Sequence, residues 1–159
     1  MSRVGHGFDA HRLVAGRPLI LGGITIPFDR GALGHSDADA LAHAISDALL
    51  GAAALGDLGG HFPDSDPQWK DANSIVLLEA CAQRVRSSGY AIVNIDATIV
   101  VDRPKLAPYV GAMRENLAVR LQLPLECVSV KAKTSEGMGY TGDGTGIAAY
   151  AVASIERHG

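Results

Sequence analysis

Asp9 and His11 stand two residues apart in the stretch Arg3 to His11, whose alternation reads as an extended strand. Val4, His6, Phe8 and Ala10 fall on one side of that strand, and Arg3, Gly5, Gly7, Asp9 and His11 on the other. The carboxylate and the imidazole therefore point the same way and can converge on one ion. A second imidazole, His43, lies on the polar side of a helical pattern further along and can complete the set. Two imidazoles and one carboxylate suit Zn²⁺, and three protein ligands leave a fourth tetrahedral position for a substrate oxygen. Asp47, one helical turn beyond His43, could orient that ring. Spacing alone also admits plainer readings. Histidines are often simply hydrogen-bonded, and the same three groups could activate water on a phosphate ester or serve only as a structural clip.

Other chemistry-bearing residues have ordinary explanations available. Asp57, Asp64 and Asp66 lie in a turn-rich segment where Asp is favoured for local backbone bonding. Lys105 after Pro104 could be a solvated charge at a helix start. The glycine-rich run from Gly137 to Gly146 lacks a Gly-Lys-Ser/Thr ending and leads into a strand, so it reads as a tight β-connection and not a phosphate loop. His6 points away from Asp9 and His11 and reads as a packing histidine; His61 and His158 receive no role. Cys81 and Cys127 have no partner at metal-ligand spacing and read as buried free thiols.

The elements that must hold these side chains can be read from periodicity. Leu19–Leu21 and Ile24–Ile26, joined by Gly22-Gly23, predict a small hairpin that Pro27 ends. A helix is expected from a cap at Ser36 or Asp37 to about Ala53, with Leu41, Ala44, Ile45, Ala48, Leu49 and Ala52 as its apolar stripe and His43 and Asp47 outside it. Asn73 or Ser74 can cap a second helix carrying Ile75, Leu78, Ala82 and Val85 and ending before Gly89. Ile92 to Val101 is rich in β-branched residues and predicts a strand. A third helix carries Val110, Met113, Leu117 and Leu121, and Val128 to Lys133 and Ile147 to Ile155 supply the last strands. The order predicts an α+β fold, a mixed sheet with helices layered on one face and the other face in need of cover from another subunit.

With 159 residues, no internal repeat and no linker-like tract, residues 1–159 are expected to form a single domain. A chain 47% hydrophobic and 19% charged has a globular balance. Net charge is −3 with scattered Lys and Arg, so polymeric nucleic acid and anionic membrane surfaces are not expected partners. The N-terminus lacks a charged segment followed by an apolar one, and no long apolar run occurs; a cytoplasmic location is expected.

Longer motifs add a resemblance. Gly5-His6-Gly7-Phe8-Asp9-Ala10-His11, Leu33-Gly34-His35-Ser36-Asp37-Ala38-Asp39 and Ser46-Asp47-Ala48-Leu49-Leu50-Gly51-Ala52 follow one family's pattern in order. So do Phe62-Pro63-Asp64, Pro104-Lys105-Leu106, Lys131-Ala132-Lys133-Thr134-Ser135-Glu136 and Tyr140-Thr141-Gly142. Over essentially its whole length the chain resembles the 2-C-methyl-D-erythritol 2,4-cyclodiphosphate synthase family of the non-mevalonate isoprenoid pathway. The resemblance implies a ferredoxin-like two-layer sandwich assembled as a homotrimer, with active sites between subunits. It implies conversion of 4-diphosphocytidyl-2-C-methyl-D-erythritol 2-phosphate to the cyclic diphosphate plus CMP. By matching position, Asp9, His11 and His43 would hold zinc. His35 and Ser36 would contact the methylerythritol phosphate portion, beside Asp57, Leu58, Gly59, Phe62 and Asp64. Val101, Asp102, Arg103, Pro104, Lys105 and Leu106 would frame cytosine. Thr134 would contact the diphosphate, and Glu136 would help hold a second divalent ion, Mg²⁺ or Mn²⁺, with Lys133, Ser135 and Tyr140 nearby. His35 and Thr134 would act catalytically by donating hydrogen bonds to developing charge.

The implied chemistry needs no Ser or Cys nucleophile, because the attacking group is the substrate's own phosphate, ionised near neutral pH. One position departs from the pattern: where some members carry Arg shortly after the Tyr140-Thr141-Gly142 match, this chain has Asp143. Three such carboxylates in a trimer's central cavity would repel an isoprenoid diphosphate, so weak or absent binding of that ligand is expected.

Overall fold

The computed structural model describes residues 1–159. Strand β1 (Ser2–Ala15) is followed by the hairpin β2 (Leu19–Leu21) and β3 (Ile24–Ile26), the short β4 (Arg30–Ala32), helices α1 (Ala40–Ala52), α2 (Leu58–His61) and α3 (Ser74–Ser87), β5 (Tyr90–Val100), α4 (Val110–Leu121), β6 (Val128–Lys133), the helical turn α5 (Gly139–Gly142) and β7 (Gly146–Arg157). The main sheet runs β4-β1-β7-β5-β6, and β2-β3 forms a separate ribbon. β7 is antiparallel to both β1 and β5, with Asp9 opposite Ala149 and His11 opposite Ile147. β6 joins β5 in parallel, so the sheet is mixed as the element order predicts.

Alternation sets the two faces. Gly5, Gly7, Leu13, Ile95, Ala97, Ile99, Ile147, Ala151 and Ile155 are buried beneath the helices, while Val4, Phe8, Tyr150 and Val152 are exposed on the opposite face. His6 stands with the exposed set beside Tyr150, so it is a surface residue of the sheet and not a packed one. The helical layer contributes Leu41, Ile45, Leu49, Leu78, Met113 and Leu117, all fully buried. Removing each such side chain from water stabilises the fold by roughly 1.5–3 kcal/mol. Helix α1 is buried beyond its expected stripe, at Ala42, Ser46 and Leu50 too, because α3 covers the side turned away from the sheet.

The cap of α1 falls three residues later than Ser36, at Asp39. The Asp39 Oδ1 accepts from the N–H of Ala42 at 2.9 Å and of Gly22 at 2.9 Å, and Oδ2 accepts from Gly23 at 2.8 Å. One fully buried carboxylate thus caps the helix and fastens the hairpin turn to it, which neither Ser36 nor Asp37 does. Gly22 and Gly23 have φ of +59° and +77°, the left-handed pair that a two-residue primed turn requires. The Gly137–Gly146 stretch does lead into β7 but contains the helical turn α5. Cys81 is buried, its thiol pushed up to about 11 by burial, whereas Cys127 is only half-buried. No helix of the chain is long and apolar enough to cross a membrane.

Candidate metal centre and cleft

Strand β1 and helix α1 meet without side chains between them. A Cβ on Gly5 would lie 1.9 Å from the Ala48 carbonyl oxygen, and one on Gly7 would lie 1.8 Å from that of Ala44. Each two-residue step along β1 therefore matches a four-residue step back along α1, about 6 Å in both cases. One further step reaches Ala40, the first residue of α1, and His43 in the same turn brings its ring to Asp9.

At that point Asp9 Oδ2 lies 2.7 Å from His11 Nε2 and 3.0 Å from His43 Nδ1, and the two nitrogens are 3.4 Å apart. The other nitrogen of each ring is engaged elsewhere. His11 Nδ1 donates to the Leu33 carbonyl at 3.1 Å, which leaves Nε2 as the atom with a lone pair. His43 Nε2 sits 2.8 Å from Ser74 Oγ and 3.2 Å from Ser36 Oγ. Asp47, the residue expected to orient His43, instead accepts the Leu58 N–H at 2.7 Å and so pins the start of α2; Ser74 occupies the orienting place. Burial raises the Asp47 carboxyl above its ordinary value, with the Leu58 N–H opposing.

Asp9, His11 and His43 each offer one ligand atom, all within 4.8 Å of one another, as a site for a divalent metal. The 3.4 Å nitrogen separation is close to the edge of a tetrahedron with bonds of about 2.0–2.1 Å, and Asp9 Oδ2, at hydrogen-bond distance from both nitrogens, completes a donor set of the type that small cations take. Burial pushes the Asp9 carboxyl up, but the hydrogen bonds and charges of His11 and His43 prevail and hold it below the usual range. For His43, burial opposes charge and is outweighed by Asp9, assisted by Asp39 and Asp37, so its pKa is raised. The site sets two imidazoles beside a carboxylate that stays ionised.

These three groups form part of the wall of a cleft of about 380 Å³. His35, Ser36, Leu58, Gly59, Phe62 and Asp64 line it as well, each of them singled out in the sequence. Ser36 is buried, and its hydroxyl accepts the Ala38 N–H at 3.1 Å. His35 Nε2 lies 3.2 Å from the Asp66 carbonyl. Asp57 is exposed and does not line the cleft; its carboxylate caps α2 through the Gly60 N–H at 2.9 Å. The cleft also contains Leu33, Trp69 and Leu77, which sequence reasoning missed. Trp69 packs edge-on against Phe62 with ring centres 4.9 Å apart, and the signal that could have found it is its place five residues after the Phe62-Pro63-Asp64 motif.

The remaining site candidates lie elsewhere. Val101, Asp102, Pro104, Lys105, Leu106, Lys133 and Thr134 line a second pocket of about 230 Å³ that shares no residue with the cleft. Arg103 faces a different hollow together with Arg30 and Asp143. The Asp102 carboxylate is engaged by the N–H groups of Ser135 at 2.7 Å and Gly137 at 2.9 Å, and the Ser135 hydroxyl is tied to Thr141. Those two side chains shape the loop. Glu136 is exposed, with φ +53° and its carboxylate 3.4 Å from Thr134 Oγ1; within one chain it is not gathered with Asp9, His11 and His43. Tyr140 borders a shallow hollow with Phe8, His11 and Arg12.

Comparison with known proteins agrees with this layout. The model of the YgbB family matches residues 2–156. The 2-C-methyl-D-erythritol 2,4-cyclodiphosphate synthase of Burkholderia mallei (strain SAVP1) is 60% identical over 155 residues, 98% of this chain and 96% of its own length. A solved 2C-methyl-D-erythritol-2,4-cyclodiphosphate synthase with CDP bound superposes with a TM-score of 0.89 at 41% identity, over 97% of this chain and all of its own. The bifunctional IspDF of Campylobacter jejuni gives a TM-score of 0.96 at 39% identity over 99% of this chain, which spans 43% of that larger protein.

Proposed function

The chain belongs to the YgbB family, and we propose that it acts as a 2-C-methyl-D-erythritol 2,4-cyclodiphosphate synthase, a phosphorus–oxygen lyase of the non-mevalonate isoprenoid pathway. It converts 4-diphosphocytidyl-2-C-methyl-D-erythritol 2-phosphate into the 2,4-cyclodiphosphate and CMP. The observation that carries this reading is the Asp9 carboxylate with two imidazole nitrogens 3.4 Å apart in the wall of an open cleft.

In the reaction an oxygen of the 2-phosphate attacks the β-phosphorus, the bond to the α,β-bridging oxygen breaks, and CMP leaves with the electron pair. No base is needed, since the attacking phosphate is already ionised. The protein's work is to fold the substrate so that the two phosphates meet in line. Leu58, Phe62, Trp69 and Leu77 give the methylerythritol carbons an apolar wall, while His35 and Ser36 offer polar contacts. Val101, Asp102, Pro104, Lys105 and Leu106 frame the cytosine, and Thr134, with Lys133 beside it, meets the diphosphate. A zinc ion on Asp9, His11 and His43, and Mg²⁺ or Mn²⁺ at Glu136, supply Lewis-acid polarisation and charge neutralisation when bound.

A single domain repeated as a homotrimer suits this reading. The exposed Val4, Phe8, Tyr150 and Val152 give the uncovered sheet face an apolar surface for neighbours, and a neighbour's Val101–Glu136 region could complete a cleft that one chain leaves half-built. The ferredoxin-like sandwich and a cytoplasmic setting belong to the same proposal. Asp143 is exposed and held by the Thr145 N–H and hydroxyl, which lower its pKa; it stays ionised and disfavours an isoprenoid diphosphate nearby.

Phosphorus NMR of the purified protein with the cytidyl substrate and Mg²⁺ tests the reading. The wild type should give cyclic diphosphate plus CMP, and Asp9→Ala should lose roughly 10³-fold or more in rate, a loss of several kcal/mol of charge stabilisation. A linear phosphate product would assign a hydrolase instead.

A further inference from the structure

Ser74 and Asp37 have no place in the reaction above, yet they stand directly behind one of its ligands. Ser74 is the first residue of α3 and fully buried. Its Oγ is 2.8 Å from His43 Nε2 and also bonds the Asp37 carboxylate, whose other oxygen accepts the Ser74 N–H at 3.1 Å. The donors in this chain can be counted. An ionised carboxylate only accepts, so the single Ser74 hydroxyl proton goes to Asp37. Ser74 Oγ then has only lone pairs to offer His43, and Nε2 must carry the proton. Ser36 Oγ, 3.2 Å from the same nitrogen and accepting the Ala38 N–H, can direct its own proton to Ser74 Oγ at 3.4 Å and so adds a second acceptor there. Nδ1 on the far side of the ring, 3.0 Å from Asp9 Oδ2, is then the nitrogen whose proton a bound cation can replace.

We propose that Asp37 and Ser74 are positioning residues that lock His43 as its Nε2–H tautomer, with Nδ1 kept as a cation ligand. This rests on the metal reading of the Asp9–His11–His43 site. His11 obtains the same service from a backbone carbonyl, that of Leu33, but His43 depends on a side-chain relay and is therefore open to mutation. Outer partners of this kind change metal affinity by about 10- to 100-fold when removed.

The test is zinc affinity of the full-length metal-free protein, measured by competition with a chromophoric chelator, for wild type, Ser74→Ala, Asp37→Asn and Ser74→Thr. Ser74→Ala is expected to bind zinc about 10- to 100-fold more weakly, Asp37→Asn by a smaller factor, and Ser74→Thr, which keeps the hydroxyl, to recover most of the loss. At saturating zinc, Ser74→Ala should lower kcat with little change in KM. Long-range ¹H–¹⁵N spectra of the zinc-loaded wild type should show His43 protonated at Nε2 and metal-bound at Nδ1, and Ser74→Ala should show a mixture. Zinc affinities of Ser74→Ala and Asp37→Asn within about twofold of wild type would overturn the proposal, as would His43 ligating through Nε2. The wild-type spectra decide the matter even where a variant fails to fold. A wild type that binds one zinc but makes no cyclic product would sink the proposed function and leave this relay standing.

Discussion

At the Asp9–His11–His43 cleft every important side chain is held from several directions, whereas along Val101–Leu106 and Lys133–Glu136 the chain offers a loop whose own side chains hold it together. In the cleft, a helix lies directly on a strand, both imidazoles have their second nitrogen engaged, and the carboxylate is ionised by its neighbours. In the second region Lys105, Lys133, Thr134 and Glu136 are exposed, and Asp102 is occupied in anchoring the turn at Ser135 and Gly137. Under the proposed function the contrast follows from what each half would recognise. A cation demands fixed donor geometry, which only packed elements provide. A nucleotide base can be read by main-chain groups on a shaped loop, where side chains need only hold the loop.

The largest blow to this contrast should come from Gly7→Ala. Its Cβ would meet the Ala44 carbonyl, main chain that cannot rotate away, so a loss of about 3 kcal/mol in urea unfolding is expected together with collapse of cyclisation. A stable, active variant would mean that the helix seat does not set the metal geometry.

Asp39 sharpens the comparison next, since it fastens the helix that carries His43. Burial pushes its carboxyl up to about 6, against the pull of the Ala42, Gly23 and Gly22 N–H groups. A folded pKa above the unfolded value of about 3.9 means the folded state holds the proton more tightly. The contribution is therefore full below about pH 4 and is lost as pH rises through about 6, by up to about 3 kcal/mol. Urea unfolding of wild type and Asp39→Asn across that window should show the wild type losing its relative advantage as pH rises; parallel profiles would contradict the assignment.

The smallest effect is expected in the loop. Asp102→Ala removes two hydrogen bonds from the turn carrying Glu136 and should raise KM for the cytidyl substrate about 10-fold, a matter of 1–2 kcal/mol. Zinc affinity should stay within about twofold, because sites that share no partners act independently. A large change in zinc affinity would erase the distinction between the two halves.

Much of this was legible from local pattern. Alternation along Arg3–His11 placed Asp9 and His11 on one side of the strand, Gly22-Gly23 announced the hairpin, and the stripe from Leu41 to Ala52 left His43 on the polar side of its helix, able to join them. What escaped depended on partners far off in sequence. Ser36, Asp37 and Asp39 are all good capping residues, and the choice of Asp39 is made by N–H groups 16 and 17 residues upstream. Ser74, 31 residues from His43, looked like nothing more than a helix start. The three-residue β4 pairs with the end of β1 too briefly to leave a pattern, and the short α2 depends on Asp47 reaching the Leu58 N–H.

Trp69 is the chain's single tryptophan, and it lies against Phe62 in the wall of the cleft. Indole emission from this protein is consequently a signal from one place. A ligand entering beside Phe62 changes the polarity around that ring, and unfolding exposes it, so filling of the cavity and loss of the fold can each be followed in dilute solution without attaching a dye.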